Sequence, residues 1–80
     1  MEKLTPREYG IFSFVCQYVQ DYQQSPTRKE IGRAFKMTAQ GADYHIKKLV
    51  QKGFLDLSDH KKRNIQLVKK HYRKQISLFD

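Results

Sequence analysis

Cysteine is nearly absent from this chain. Cys16 stands alone, so no internal disulfide can form. It lies at the edge of an apolar helical face and reads as a small buried filler. Long apolar runs are missing too. None reaches membrane-spanning length, and the N-terminus lacks the apolar core of a signal peptide. No membrane partner is expected, and the location read from this is cytoplasmic, with the nucleoid. Histidine is sparse: His45, His60 and His71 lack metal-site spacing, and no Ser/Lys or Cys/His constellation comes with a cleft-forming scaffold. Eighty residues make one small domain. Such a domain buries only about 60% of its unfolded surface, which leaves no room to enclose a substrate. No enzyme, metal or cofactor is expected. Internal repeats and low-complexity segments are absent as well.

Acids are few. Eight Asp and Glu face sixteen Lys and Arg, for a formal charge of +8. The imbalance is one-sided. Residues 1–26 hold Lys3 and Arg7 against Glu2, Glu8 and Asp21, while every other base lies in residues 27–80. A positive field gathered on one part of a small domain attracts polyanions, nucleic acid foremost.

What is present has a clear order. Thr5-Pro6-Arg7-Glu8 opens a first helix, with Thr5 as cap, Glu8 closing a capping box and Pro6 at the first helical position. Ile11, Phe12, Val15, Val19 and Tyr22 follow at helical spacing as one apolar stripe. Phe14 and Tyr18 fall beside it, placed either for a rim contact within the domain or to cover a partner subunit or the C-terminal tail. Gln23-Gln24-Ser25-Pro26 connects to a second capping box, Thr27 with Glu30. The second helix is short, ends near Phe35, and is expected to bury Ile31, Ala34 and Phe35. Gly32 falls where two helices would cross closely. Lys36-Met37 makes a turn with Met37 inward, and Thr38 caps a third helix from about Ala39 to Lys52, stopped by Gly53.

On that third helix Ala42, Ile46, Leu49 and Val50 share the core face. At about 100° per residue the opposite face centres on Gln40, Tyr44, Lys47 and Lys48, with Gly41 and Asp43 beside it. Leu55 and Leu57, then Ile65 and Leu67, alternate with polar residues on either side of a basic loop, the pattern of a hairpin. Three consecutive bases, Lys61-Lys62-Arg63, make its tip more than an ordinary polar turn. The fold class is therefore mainly α with a small β-hairpin: a winged helix-turn-helix over residues 1–68, followed by a basic linker and interaction tail over 69–80.

A helix-turn-helix sets its second helix into the major groove of double-stranded DNA. Gln40 can pair with adenine, Asp43 can accept from cytosine, Tyr44 can meet a base edge, a phosphate or a thymine methyl, and Gly41 permits close backbone approach. Thr38, Lys47 and Lys48 are placed for phosphates, which fix register. Thr27, Arg28 and Lys29 offer amides, a hydroxyl and two cations to another phosphate. Lys61, Lys62 and Arg63 add sequence-independent, salt-sensitive affinity.

Leu4-Thr5-Pro6-Arg7, Ser25-Pro26-Thr27 with Glu30-Ile31, and His45-Ile46-Lys47-Lys48-Leu49 ending at Lys52-Gly53 resemble the N-terminal winged helix of the LexA repressor family. The resemblance covers residues 4–68. It implies that Thr38, Gln40, Gly41, Asp43 and Tyr44 fall where that family reads its operator. The likeness departs there: the family usually has one more residue in the turn, and Tyr44 stands where an acid is common. This points away from the family's usual operator. The family's self-cleaving peptidase half has no counterpart in these residues, so autoproteolytic switching and dimerisation through that half do not carry over.

Gln75-Ile76-Ser77-Leu78-Phe79 resembles the short motif by which bacterial proteins grip the replicative sliding clamp, with Ile76 where Leu is usual. Leu78 and Phe79 would anchor in an apolar groove. Alternatively, Ile76, Leu78 and Phe79 fold back onto Phe14 and Tyr18, or pack across a homodimer. Two functions follow. One is a small bacterial or mobile-element transcriptional regulator that reads the major groove with its third helix. The other is a replication accessory factor with little sequence preference that engages the clamp through its tail.

Overall fold

The computed structural model describes residues 3–58 and 63–68. Three helices are followed by a two-stranded antiparallel hairpin: α1 Pro6–Tyr22, α2 Arg28–Phe35, α3 Ala39–Gln51, β1 Leu55–Leu57 and β2 Ile65–Leu67. The winged helix-turn-helix architecture read from the sequence is the one observed. The wing tip, with Lys61 and Lys62, lies outside the described residues, as does the tail from Gln75 to Phe79.

Side-chain caps set the helix starts. Thr5 Oγ1 accepts from the Glu8 N–H at 3.1 Å while Glu8 Oε1 accepts from the Thr5 N–H at 2.9 Å. Thr27 and Glu30 repeat the pattern at the same two distances. Each box satisfies two amides that the helix itself leaves without partners. Thr38 caps α3 by accepting from the Gly41 N–H at 3.0 Å. α1 and α2 end on Gln23 and Lys36, both left-handed at φ 60° and 56°, and α3 is followed by Gly53 at φ 84°. Only Gly53 takes that conformation without strain from a Cβ.

The core is one cluster of Ile11, Phe12, Val15, Cys16, Ile31, Ala42, Ile46, Leu49, Leu55 and Ile65. Each fully buried Ile or Leu in it contributes about 1.5–3 kcal/mol of transfer free energy. Burial also pushes the Cys16 thiol up to about 12, consistent with its reading as an inert filler. Phe12 meets Phe54 edge-on at 5.5 Å, joining α1 to the segment that enters β1. Leu55 stands opposite Leu67 and Leu57 opposite Ile65, so the apolar residues of both strands share the face turned to the helices. Lys52 closes the other end, with Nζ 2.6 Å from Glu8 Oε1 and 3.0 Å from the Lys3 carbonyl. The Lys52 bond, followed by the Thr5 amide, holds the Glu8 carboxyl below its ordinary range against the cost of burial.

Two expected core positions face water. Tyr22, on the last turn of α1, is 62% exposed. Ala34 is exposed as well, and Phe35 and Val50 are half-buried. α2 buries Ile31 as expected, and Gly32 beside it. A Cβ at Gly32 would lie 2.5 Å from the Met37 carbonyl oxygen and 3.1 Å from that of Thr38. The close approach expected at this glycine is therefore to the turn backbone. With that flank pressed on the turn, Ala34 is left on the solvent side. Phe14 makes the intramolecular rim contact, edge-on to Phe35 at 5.7 Å.

Candidate nucleic-acid interface

α3 is split between core and solvent. Ala42, Ile46 and Leu49 are fully buried, whereas Gln40, Tyr44 and Lys47 are exposed, Tyr44 to 59%. Residues i and i+4 stack on one side of a helix, so Gln40, Tyr44 and Lys48 form a continuous ridge. Lys48 is half-buried along its stem, and its ammonium sits 5.5 Å from the Tyr44 ring centre. The Tyr44 ring meets the half-buried His45 edge-on at 5.3 Å. These contacts limit the rotamers of Tyr44 and hold its ring beside the Lys48 ammonium. Gly41, next to Gln40 in this ridge, offers only backbone there.

Several of the other predicted contact residues, Thr27, Arg28, Asp43 and Arg63, are engaged within the domain. The Thr27 hydroxyl and amide are bonded to Glu30, so that part of the expected phosphate site at the start of α2 is filled from inside. Lys29 is exposed beside it. Arg28 Nε donates to Asp43 Oδ1 at 3.1 Å, and Nη1 donates to Asn64 Oδ1 at 2.6 Å. One guanidinium thus ties α2 to α3 and to the base of the wing. Lys47 Nζ lies 3.1 Å from Asp43 Oδ2. Burial raises the Asp43 carboxyl, and the bonds from Arg28 and Lys47 outweigh it, leaving the group below its ordinary range.

Arg63 is anchored in the same manner. Its Nη1 and Nη2 grip Glu30 Oε1 and Oε2 at 2.8 and 3.0 Å, and Nη1 also reaches the Ser25 carbonyl at 2.9 Å. The two-pronged geometry fixes the guanidinium plane. It lowers the Glu30 carboxyl to about 2, the Arg63 bond leading and the Thr27 amide adding to it. The Tyr18 hydroxyl lies 3.4 Å from Nη1, so an aromatic placed beside the α1 stripe helps seat the wing.

The sequence reading thus located the outer face of α3 but not the links behind it. Asn64 was not singled out, and neither Ser25 nor Tyr18 was read as a tie to the wing. The available signal was indirect, an acid at the third position of α2 in a chain whose wing is basic. Among the described residues no three His, Cys, Asp or Glu side chains gather as a metal site. None of the described helices is long and apolar enough to cross a membrane.

Comparison with known proteins yields a coherent set. The LexA DNA binding domain family matches residues 1–64. The LexA repressor of Thermosipho melanesiensis is 34% identical over 70 residues, covering 88% of this chain and 35% of the repressor. That of Leptospira interrogans is 32% identical over 69 residues, covering 86% and 34%. That of Pseudomonas aeruginosa is 36% identical over 69 residues, covering 84% and 33%. The chain spans about a third of the length of these curated relatives, and the region matched is a binding module rather than a catalytic one.

Proposed function

The chain belongs to the LexA DNA-binding-domain family, and on that premise we propose that it is the DNA-reading part of a transcriptional regulator, with α3 in the major groove of double-stranded DNA. The observation that carries the reading is the division of α3: Ala42, Ile46 and Leu49 inside, Gln40, Tyr44 and Lys47 outside. Gln40 and Tyr44 read base edges, and Gly41 lets the backbone come close. Thr38, Lys29 and Lys48 meet phosphates, with Lys61 and Lys62 of the wing extending the contact along the backbone. A single winged helix reads a short half-site, so orders-of-magnitude selectivity calls for a homodimer or a second bound copy.

Selection of binding sites from a random duplex pool tests this. The unmodified chain is expected to enrich a defined sequence, and Gln40→Ala or Tyr44→Ala to change the preferred base at one or two positions, at about 1–3 kcal/mol each. An unchanged preference in both variants refutes readout by α3. A second reading rests on the pentapeptide Gln75-Ile76-Ser77-Leu78-Phe79. In it, the domain holds DNA with little preference and the tail engages the sliding clamp. The same selection separates the two, because that reading requires a flat profile together with capture of purified clamp by the tail.

A further inference from the structure

α3 carries a single acid, Asp43, on the helix proposed to enter the groove. Its two oxygens are divided between two cations of that surface, Oδ1 to Arg28 Nε and Oδ2 to Lys47 Nζ, both at 3.1 Å. A DNA phosphate presents the same acceptors to the same donors. Asp43 therefore supplies these two cations, from within the protein, with the kind of acceptor that a phosphate offers.

We propose that Asp43 is a specificity-determining residue: it withholds Lys47 and Arg28 from indiscriminate phosphate contact and so weakens binding to non-operator duplex. The inference rests on the DNA-binding reading above and assigns Asp43 a task different from accepting a cytosine amino group. Specificity is a difference of affinities, and weakening the wrong complex serves it as well as strengthening the right one. Binding to random duplex is almost entirely phosphate contact, so each cation held back lowers that background.

The two pairs differ in strength. Arg28 is held at both ends, by Asp43 and by Asn64 at 2.6 Å, and its side chain is 22% exposed. The Lys47 side chain is 68% exposed, so its pairing is the weaker one and the one that DNA can compete for. Asp43→Asn retains an oxygen for Arg28 but loses the charge that holds Lys47. The effect of removing the carboxylate should therefore amount to one additional phosphate contact.

The experiment measures affinity for a random-sequence duplex between 50 and 200 mM salt by fluorescence anisotropy. It uses the full chain, Asp43→Asn, Lys47→Gln and the double variant. One added phosphate contact steepens the slope of log affinity against log salt by about 0.9, an affinity change of about 3.5-fold across that range. Asp43→Asn is expected to bind random duplex more tightly at 50 mM, with that steeper slope. Lys47→Gln alone is expected to leave the slope nearly unchanged, and in the double variant to cancel the gain. Weaker or unchanged binding by Asp43→Asn overturns the inference. If Asp43→Asn melts early, Lys47→Gln alone still decides, because a full loss of about 0.9 in slope shows Lys47 already on a phosphate. Absence of duplex binding by the unmodified chain overturns the DNA-binding reading, and this inference with it. Binding by the unmodified chain with a failed Asp43→Asn response overturns this inference alone.

Discussion

Threonine caps both helices of the helix-turn-helix, but the third residue of α2 is Glu30 and the third residue of α3 is Gly41. The difference sets what each helix offers to solvent. Glu30 turns back onto the Thr27 amide and places a negative charge at the positive end of α2. It also draws Arg63 in from the wing. The start of α2 is thereby closed by groups of the domain itself. α3 has no acid in its first turn, and at the matching place it shows only backbone and a hydroxyl already used as cap. The two helices divide the labour. α2 is framework, fastened to the wing and the turn, and α3 is the surface left open.

The largest expected effect tests the framework half. A methyl at Gly32 would collide with two carbonyl oxygens of the turn, at 2.5 and 3.1 Å, and backbone cannot swing aside as a side chain can. Gly32→Ala should cost about 3 kcal/mol through overpacking, even after the roughly 1 kcal/mol that alanine gains over glycine in a helix. A urea titration reads this as a lower midpoint. An unchanged midpoint would show that the turn yields freely and that α2 is not rigidly set against α3.

Glu30 gives a smaller effect with a pH signature. Glu30→Ala loses the acceptor for the Thr27 amide, worth about 1 kcal/mol as a cap, and releases Arg63. The carboxyl lies at about 2 in the folded chain against an ordinary value of 4.5. A group depressed on folding stabilises the fold above its unfolded value, and that stabilisation is lost as pH falls through 4.5 toward 2. Glu30→Gln, which keeps an acceptor for the cap, should lose less stability than the unmodified chain between pH 5 and pH 2. Parallel melting curves for the two over that window would remove Glu30 from the framework.

Local chemistry made much of this fold legible. Thr5, Thr27, Thr38 and Gly53 mark helix ends through groups a few residues away, and the alternation around Leu55 and Ile65 marks the strands. The outer face of α3 followed from helical period alone. Tyr22 and Ala34 were misplaced because periodicity gives the direction of a face and not how far its neighbours extend. Tyr22 lies on the final turn of α1, and Ala34 lies behind a glycine pressed on the turn. The ties from Arg28 to Asn64 and from Arg63 to Glu30 join residues 36 and 33 positions apart. No local pattern encodes such a pair. It exists only once the wing has been folded against α2, and it turns an arginine that looked available to phosphate into a bracket.

The same substitution at Gly41 should act in the opposite sense and by less, which makes it the sharpest probe of the open half. A Cβ there would meet Thr38 Oγ1 at 3.4 Å and the Met37 Cβ at 3.7 Å, close to ordinary contact. Gly41→Ala should therefore gain about 0.5–1 kcal/mol of stability from helix propensity. The new methyl would stand beside Gln40, on the surface proposed to approach DNA, and hold the backbone away from it. Thermal melting should rise while duplex affinity falls several-fold. Few substitutions that merely damage a fold would separate the two readouts in that direction. If Gly41→Ala binds as tightly as the unmodified chain, the first turn of α3 does not come close to the duplex. The reading surface would then have to lie further along the helix, at Tyr44 and Lys48.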